Sequence, residues 1–162
     1  MPMKTVQHIR GYDTEVLKWE QILSFYSRAV DTQIPYECRE PGFFVIKPRA
    51  AEEIDIPELQ KMLDKLKIKE AHVYFSLVTG TIGYGKHHDI TDVWFWQCQG
   101  TSKWVVDGFT YMMNPGDLLF IPSGLDHCVE SITPRAGVSM SQVVCSDLPK
   151  DVVEKAVLVG HL

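Results

Sequence analysis

The feature that most constrains this chain is the rhythm of its second half. From residue 71 onward, short apolar stretches follow one another, and a Gly-, Pro- or Asn-containing turn closes each of them. Residues 72–79, 93–98, 104–106, 109–113, 118–121, 127–132 and 137–144 read as strands rich in β-branched and aromatic residues. The turn at 99–102 contains Gly100 and makes a hairpin, and Asn114-Pro115-Gly116-Asp117 makes another turn. Short strands at this spacing close into a sandwich or barrel. A parallel α/β sheet would need long helical segments between them. The expected fold is mainly β, a small jelly roll (double-stranded β-helix) with its functional groups near one open end.

The first half has a different texture. Residues 13–30 carry Val16, Leu17, Trp19, Ile22, Leu23, Phe25, Tyr26 and Val30 at roughly helical spacing, with Asp13 or Thr14 as a cap. A polar connector leads to a short strand at 43–46, which Pro48 closes. Pro57 suits the first turn of a second helix, with Leu59, Met62, Leu63 and Leu66 on one stripe. A further short helix is expected from Pro149 to Leu158. The helices pack outside the β portion, so residues 1–162 form one domain: a helical elaboration at 1–69 and a jelly-roll core at 70–145.

Composition narrows the function. The net charge of −5 gives no strong nucleic-acid signal, since phosphate binding leaves a basic patch or stripe. Lys61, Lys65, Lys67 and Lys69 are interrupted by acidic residues and read as solvated surface. No apolar run approaches the roughly 18 residues of a membrane span. The start, MPMKTVQHIRGYD, lacks the apolar core of a signal peptide. Cys38, Cys98, Cys128 and Cys145 show no CxxC spacing, so reduced thiols and a cytoplasmic location are expected. Sheet edges in such folds pair readily, which makes a homodimer compatible with the chain.

Chemistry concentrates in residues 83–104 and 114–131. In an extended segment His87 and Asp89 project to one side and His88 to the other. His127 follows an apolar strand and a Pro-Ser-Gly turn. Taken alone, His-His-Asp is a solvated turn and His127 a carbonyl-capped histidine. Together, a His-x-Asp pair and a distant His are the ligand set of the facial triad. That triad holds one face of an Fe(II) ion and leaves positions open for substrate and O₂. By alternation His88 faces away, Asp92 and Asp126 belong to turns, Asp117 serves the Pro-Gly turn, and Cys128 is core. Trp94, Phe95, Trp96 and Trp104 supply wall material, with Trp94 and Trp96 reading as packing.

Residues 116–127, GDLLFIPSGLDH, resemble the second motif of the cupins. The first block resembles the Jumonji-C branch of that superfamily, whose His-x-Asp, aromatic strand, Gln, Gly and Trp match His87, Asp89, Phe95, Gln97, Gly100 and Trp104. The resemblance spans roughly residues 70–145. It implies an Fe(II)- and 2-oxoglutarate-dependent oxygenase with His87, Asp89 and His127 as iron ligands, hydroxylating a C–H bond of a peptide, protein or small-molecule substrate. One position departs: Ser102 stands where Jumonji-C proteins commonly place the lysine that holds the distal carboxylate of 2-oxoglutarate. Lys103, next to it, points outward unless the hairpin carries a bulge. Tyr74 and Tyr84, with Ser102 and Lys103, are therefore the expected cosubstrate contacts. Arg135 is a further cation, in a Thr-Pro-Arg context that reads as a surface loop. The missing lysine keeps open a metal-dependent cupin enzyme that does not use 2-oxoglutarate. A non-enzymatic binding module is the remaining alternative.

Overall fold

The computed structural model describes residues 4–142, so the helix expected from Pro149 lies outside the described residues. Ten strands and two helices follow in the order β1 (Gln7–Ile9), α1 (Trp19–Thr32), β2 (Tyr36–Glu40), β3 (Phe43–Ile46), α2 (Pro57–Leu66), β4 (Glu70–Ser76), β5 (Asp92–Gln99), β6 (Ser102–Val106), β7 (Phe109–Met113), β8 (Leu118–Ile121), β9 (His127–Ser131) and β10 (Arg135–Gln142). They form a seven-stranded sheet, β1-β8-β5-β10-β4-β3-β2, facing a three-stranded sheet, β7-β6-β9. Every strand pairing is antiparallel. The expected jelly roll with its two N-terminal helices is what the chain builds.

The alternation of each central strand divides two cores. On β5, Trp94, Trp96 and Cys98 point away from the smaller sheet and meet Ile22, Phe25, Leu59, Met62 and Leu66 of the helices. Val93 and Phe95 point inward, against Trp104, Val106, Met113 and Leu119. Strand β10 repeats the pattern, with Ala136, Val138 and Met140 outward and Arg135, Gly137, Ser139 and Ser141 inward. Because both faces of β5 are buried, it reads as an unbroken apolar run. At about 1.5–3 kcal/mol per fully buried large apolar side chain, the helix-covered face dominates stability.

Several boundaries differ from the expected ones, among them β4, at Glu70–Ser76 instead of 72–79, and β6, which starts at Ser102 instead of 104. Helix α1 starts at Trp19, because the sheet uses the preceding backbone. Asp13 N–H donates to the Gly116 carbonyl, Trp96 Nε1 donates to the Asp13 carbonyl, and Gln99 Nε2 donates to the Leu17 carbonyl. The polar connector is largely strand β2, and β1 was not expected either. Residues 4–69 therefore give three strands to the large sheet besides the helices. Strand β10 begins two residues early, at Arg135, and this shift matters for the site.

Candidate metal centre

His87, Asp89 and His127 come together at the mouth of the space between the sheets. One ligand atom from each lies within 4.8 Å of the others. Paired backbone hydrogen bonds hold the histidines side by side, His87 N–H to His127 O at 3.0 Å and His127 N–H to His87 O at 2.7 Å. Their ring centroids are 4.4 Å apart. Each ring is oriented by a carbonyl two residues back: His87 Nδ1 lies 2.8 Å from Gly85 O, and His127 Nδ1 lies 3.0 Å from Leu125 O. A carbonyl only accepts, so the Nδ1 atoms carry the protons and both Nε2 lone pairs are free to ligate. His127 Nε2 is 3.3 Å and His87 Nε2 is 3.9 Å from Asp89 Oδ2. With a proton on Nε2, in the place a metal ion would take, His127 donates to Asp89 and holds its carboxyl below the usual range, against the opposing effect of burial. Two lone pairs and a carboxylate converging on one point repel one another unless a cation sits between them. The residues fit a metal ion.

The triad opens into a cavity of about 470 Å³. Its apolar walls are Phe43, Val93, Phe95 and Trp104. Tyr74 and Tyr84 line it too. Burial above all drives the Tyr74 hydroxyl far up, so it stays protonated and can donate. Burial does the same for Tyr84, reinforced by its hydrogen bond to Glu37.

Ser102 and Lys103 are placed elsewhere. Ser102 Oγ donates to Gln97 Oε1 at 2.8 Å and accepts from Trp104 Nε1 at 3.0 Å, a closed network behind the cavity wall. Strand β6 pairs without a bulge, so Lys103 alternates to the outer side. Two cations line the cavity, Lys47 and Arg135, and Arg135 is wholly buried and not on a surface loop. Its Nε donates to Ser131 Oγ at 2.9 Å, while Nη1 and Nη2 are buried and have no partner among the described residues. The guanidinium lies 5.3 Å from the Phe43 ring centroid and 5.9 Å from that of Phe95. Burial pulls its pKa down to about 10, which leaves it charged at neutral pH. Pro134 hides this strand start in the sequence, but the small or polar series Arg135-Gly137-Ser139-Ser141 alternating with Ala136-Val138-Met140 was the available signal.

Other assignments resolve simply. His88 faces away and lies 3.3 Å from Asp126. Asp117 does more than serve its turn: it accepts from the Gly11 and Asn114 N–H groups and lies 3.3 Å from His8 Nε2, pinning β1 to β8. Trp94 and Trp96 are outer core, and Cys128 is half-buried.

With an inward His-x-Asp ahead of the aromatic strand β5 and a His opening β9, the two motifs sit where the two-sheet architecture brings them to one cavity. The chain has a cupin-type jelly-roll fold. No family profile matches the sequence, and no curated protein does. Among solved structures, the cupin fold aligns with KdgF from Halomonas sp. at TM-score 0.50 and 16% identity, over 68% of this chain and 88% of that one. A ribosomal oxygenase from Escherichia coli, YcfD, determined with cobalt and 2-oxoglutarate, aligns at TM-score 0.47 and 23% identity over 60% of this chain. That alignment spans only 31% of YcfD. A cupin superfamily protein from Desulfitobacterium hafniense aligns at TM-score 0.49 and 13% identity, over 66% of this chain and 83% of that one. Among the described residues, no helix is long and apolar enough to cross a membrane.

Proposed function

We propose that this cupin is an Fe(II)- and 2-oxoglutarate-dependent oxygenase that hydroxylates a C–H bond of a peptide, protein or small-molecule substrate. The observation that carries the reading is Arg135. A buried, charged guanidinium with two nitrogen atoms that have no partner among the described residues costs free energy unless an anion completes it, and it lines the same cavity as the triad. A dicarboxylate with one end at the metal and the other at Arg135 satisfies both demands. In this reading Arg135 takes over the part of the missing lysine, from β10 and not from β6.

His87 and His127 hold the ion through Nε2 and Asp89 through a carboxylate oxygen. Bound iron with 2-oxoglutarate supplies oxidative decarboxylation to succinate, coupled through O₂ to oxidation of a nearby C–H bond. The chain's own contribution is placement. Arg135 and the Tyr74 hydroxyl bind the distal carboxylate, and Phe43, Phe95 and Trp104 exclude water around it. The substrate enters at the outer end, past Lys47, Glu70, His72, Ser139 and Ser141. Burial lowers the pKa of His72, so that imidazole is a neutral hydrogen-bonding group there. We place the protein in the cytoplasm, where its free Cys38, Cys98 and Cys128 stay reduced.

The test is an anaerobic titration of metal-free protein with Fe(II) and then 2-oxoglutarate, following the visible charge-transfer band of a chelated keto acid. The band is expected in the parent protein and absent in His87→Ala and Asp89→Ala. Iron binding without a band would remove 2-oxoglutarate and leave a metal-dependent cupin enzyme. Absence of iron binding would remove the triad as well.

A further inference from the structure

We infer that the edge strand β2 is a strap that positions the metal-ligand loop, with Glu40 and Glu37 as its positioning residues. This rests on the metal reading of His87, Asp89 and His127. The loop from Gly80 to His87 leaves β4 and delivers the first ligand, and it is rich in backbone that only packing can fix. Gly83 and Gly85 have φ of +58° and +68°. A side chain at Gly83 would press on the Phe43 ring at 3.1 Å.

The tether is continuous. Glu40 Oε1 accepts the N–H groups of both Ile82 and Gly83, each at 2.7 Å. The Ile82 carbonyl accepts the Gly85 N–H at 2.9 Å, and the Gly85 carbonyl orients His87 Nδ1 at 2.8 Å. Two backbone residues therefore connect the Glu40 carboxylate to the ring whose Nε2 faces the metal position. Beside this path, the Tyr84 hydroxyl donates to the Glu37 carboxylate. Lys47 Nζ holds that carboxylate at 3.1 Å, and the Arg39 guanidinium covers the Tyr84 ring at 4.5 Å.

The geometry of β2 is specialised for this task. Residues 37 and 40 are three apart, and a regular strand would send their side chains to opposite faces. The register of β2 against β3 slips by one residue between Cys38 and Glu40, a bulge that turns both carboxylates onto the loop. Bulges and charges on edge strands also discourage unwanted pairing. That role alone does not require one carboxylate on the loop amides and a second on the Tyr84 hydroxyl.

The test compares Glu40→Ala and Glu40→Gln in the full chain by Mn(II) titration, Mn(II) being a stable probe of a divalent site. Amide hydrogen exchange of residues 82–87 in the metal-free protein is measured alongside. Glu40→Ala should weaken Mn(II) binding by roughly tenfold, within the usual range for losing an outer support of a metal ligand, and should speed exchange at Ile82 and Gly83. Glu40→Gln keeps the accepting oxygen and should restore most of both. Parent-like Mn(II) affinity in Glu40→Ala overturns the inference, even if exchange is faster. Should Glu40→Ala not fold, Tyr84→Phe carries the same expectation by removing only the hydroxyl held by Glu37. Failure of the parent chain to bind Mn(II) would overturn the metal reading and this inference with it. A parent that binds while the variants match it overturns the inference alone.

Discussion

At the scale of single residues, Arg135 carries the sharpest consequence. Its two free nitrogen atoms are desolvated in the metal-free chain, so replacing it removes a cost and a function together. Arg135→Met should leave the thermal midpoint of the metal-free protein unchanged or higher. It should weaken 2-oxoglutarate binding by roughly ten- to a hundredfold, the worth of about 1.5–3 kcal/mol for hydrogen bonds to a charged group. Calorimetric titration of 2-oxoglutarate into the Mn(II)-loaded variant measures this. Parent-like affinity would move the dicarboxylate elsewhere. Asp117 supplies a different kind of residue effect. Burial pushes its carboxyl up, but His8 and the Asn114 and Gly11 N–H groups outweigh burial and hold it below the usual range. Because the folded value lies below the unfolded one, this stabilisation is fully present above the unfolded carboxylate pKa and fades as pH falls through the lowered folded value. Urea unfolding of Asp117→Asn should therefore show a deficit near neutrality that shrinks as pH drops below about 4. A deficit independent of pH would mean that shape, and not charge, matters at that position.

At the scale of elements, β10 shows how much a strand's small residues decide. A Cβ at Gly137 would lie 2.4 Å from Phe95 Cζ and 2.8 Å from the Trp96 carbonyl. The glycine lets the Phe95 ring lie across β10 as a cavity wall. Gly137→Ala should destabilise the chain by about 1–3 kcal/mol, as overpacking does. It should also weaken 2-oxoglutarate binding, because Phe95 can yield only toward the cavity. Denaturant unfolding and a ligand titration report the two effects separately, and a stable variant with intact binding would show that the ring has room to move. The same strand marks the limit of what the sequence conveys. Alternation made β5, β6 and β7 readable, and it set Trp94 and Trp96 apart from Phe95. The hairpin expected at 99–102 is instead a crossing between the sheets: β5 pairs with β8 and β10, and β6 pairs with β7 and β9. Alternation missed the first two residues of β10, because Pro134 looks like the end of a loop. It missed β2 because a charged, bulged edge strand shows neither apolar run nor clean alternation. Helix α1 was misplaced at its start because residues 13–17 keep an apolar spacing while their carbonyls and N–H groups serve the sheet.

At the scale of the whole molecule, the triad joins segments that are far apart in the chain, with His87 before β5 and His127 opening β9. Spacing alone could name these residues. Only closure of the two sheets brings their ligand atoms within 4.8 Å of one another. The unfolded chain holds no such constellation, so a metal that binds there is bound to the folded state. Mn(II) at a hundred times its dissociation constant should then add about 2.7 kcal/mol of stability. For a chain of this length that is a rise of roughly 5–11 °C in thermal midpoint. A chelator should reverse the rise, and His127→Ala or Asp89→Ala should abolish it, the Asp89 variant while leaving the metal-free midpoint close to the parent value. His87 and Asp89 are partly exposed and His127 is buried, so His127→Ala is the more demanding substitution. The Asp89 variant therefore decides the matter. If Mn(II) stabilises Asp89→Ala as much as it does the parent, the ion binds at another place, and the convergence of these three side chains has some other cause.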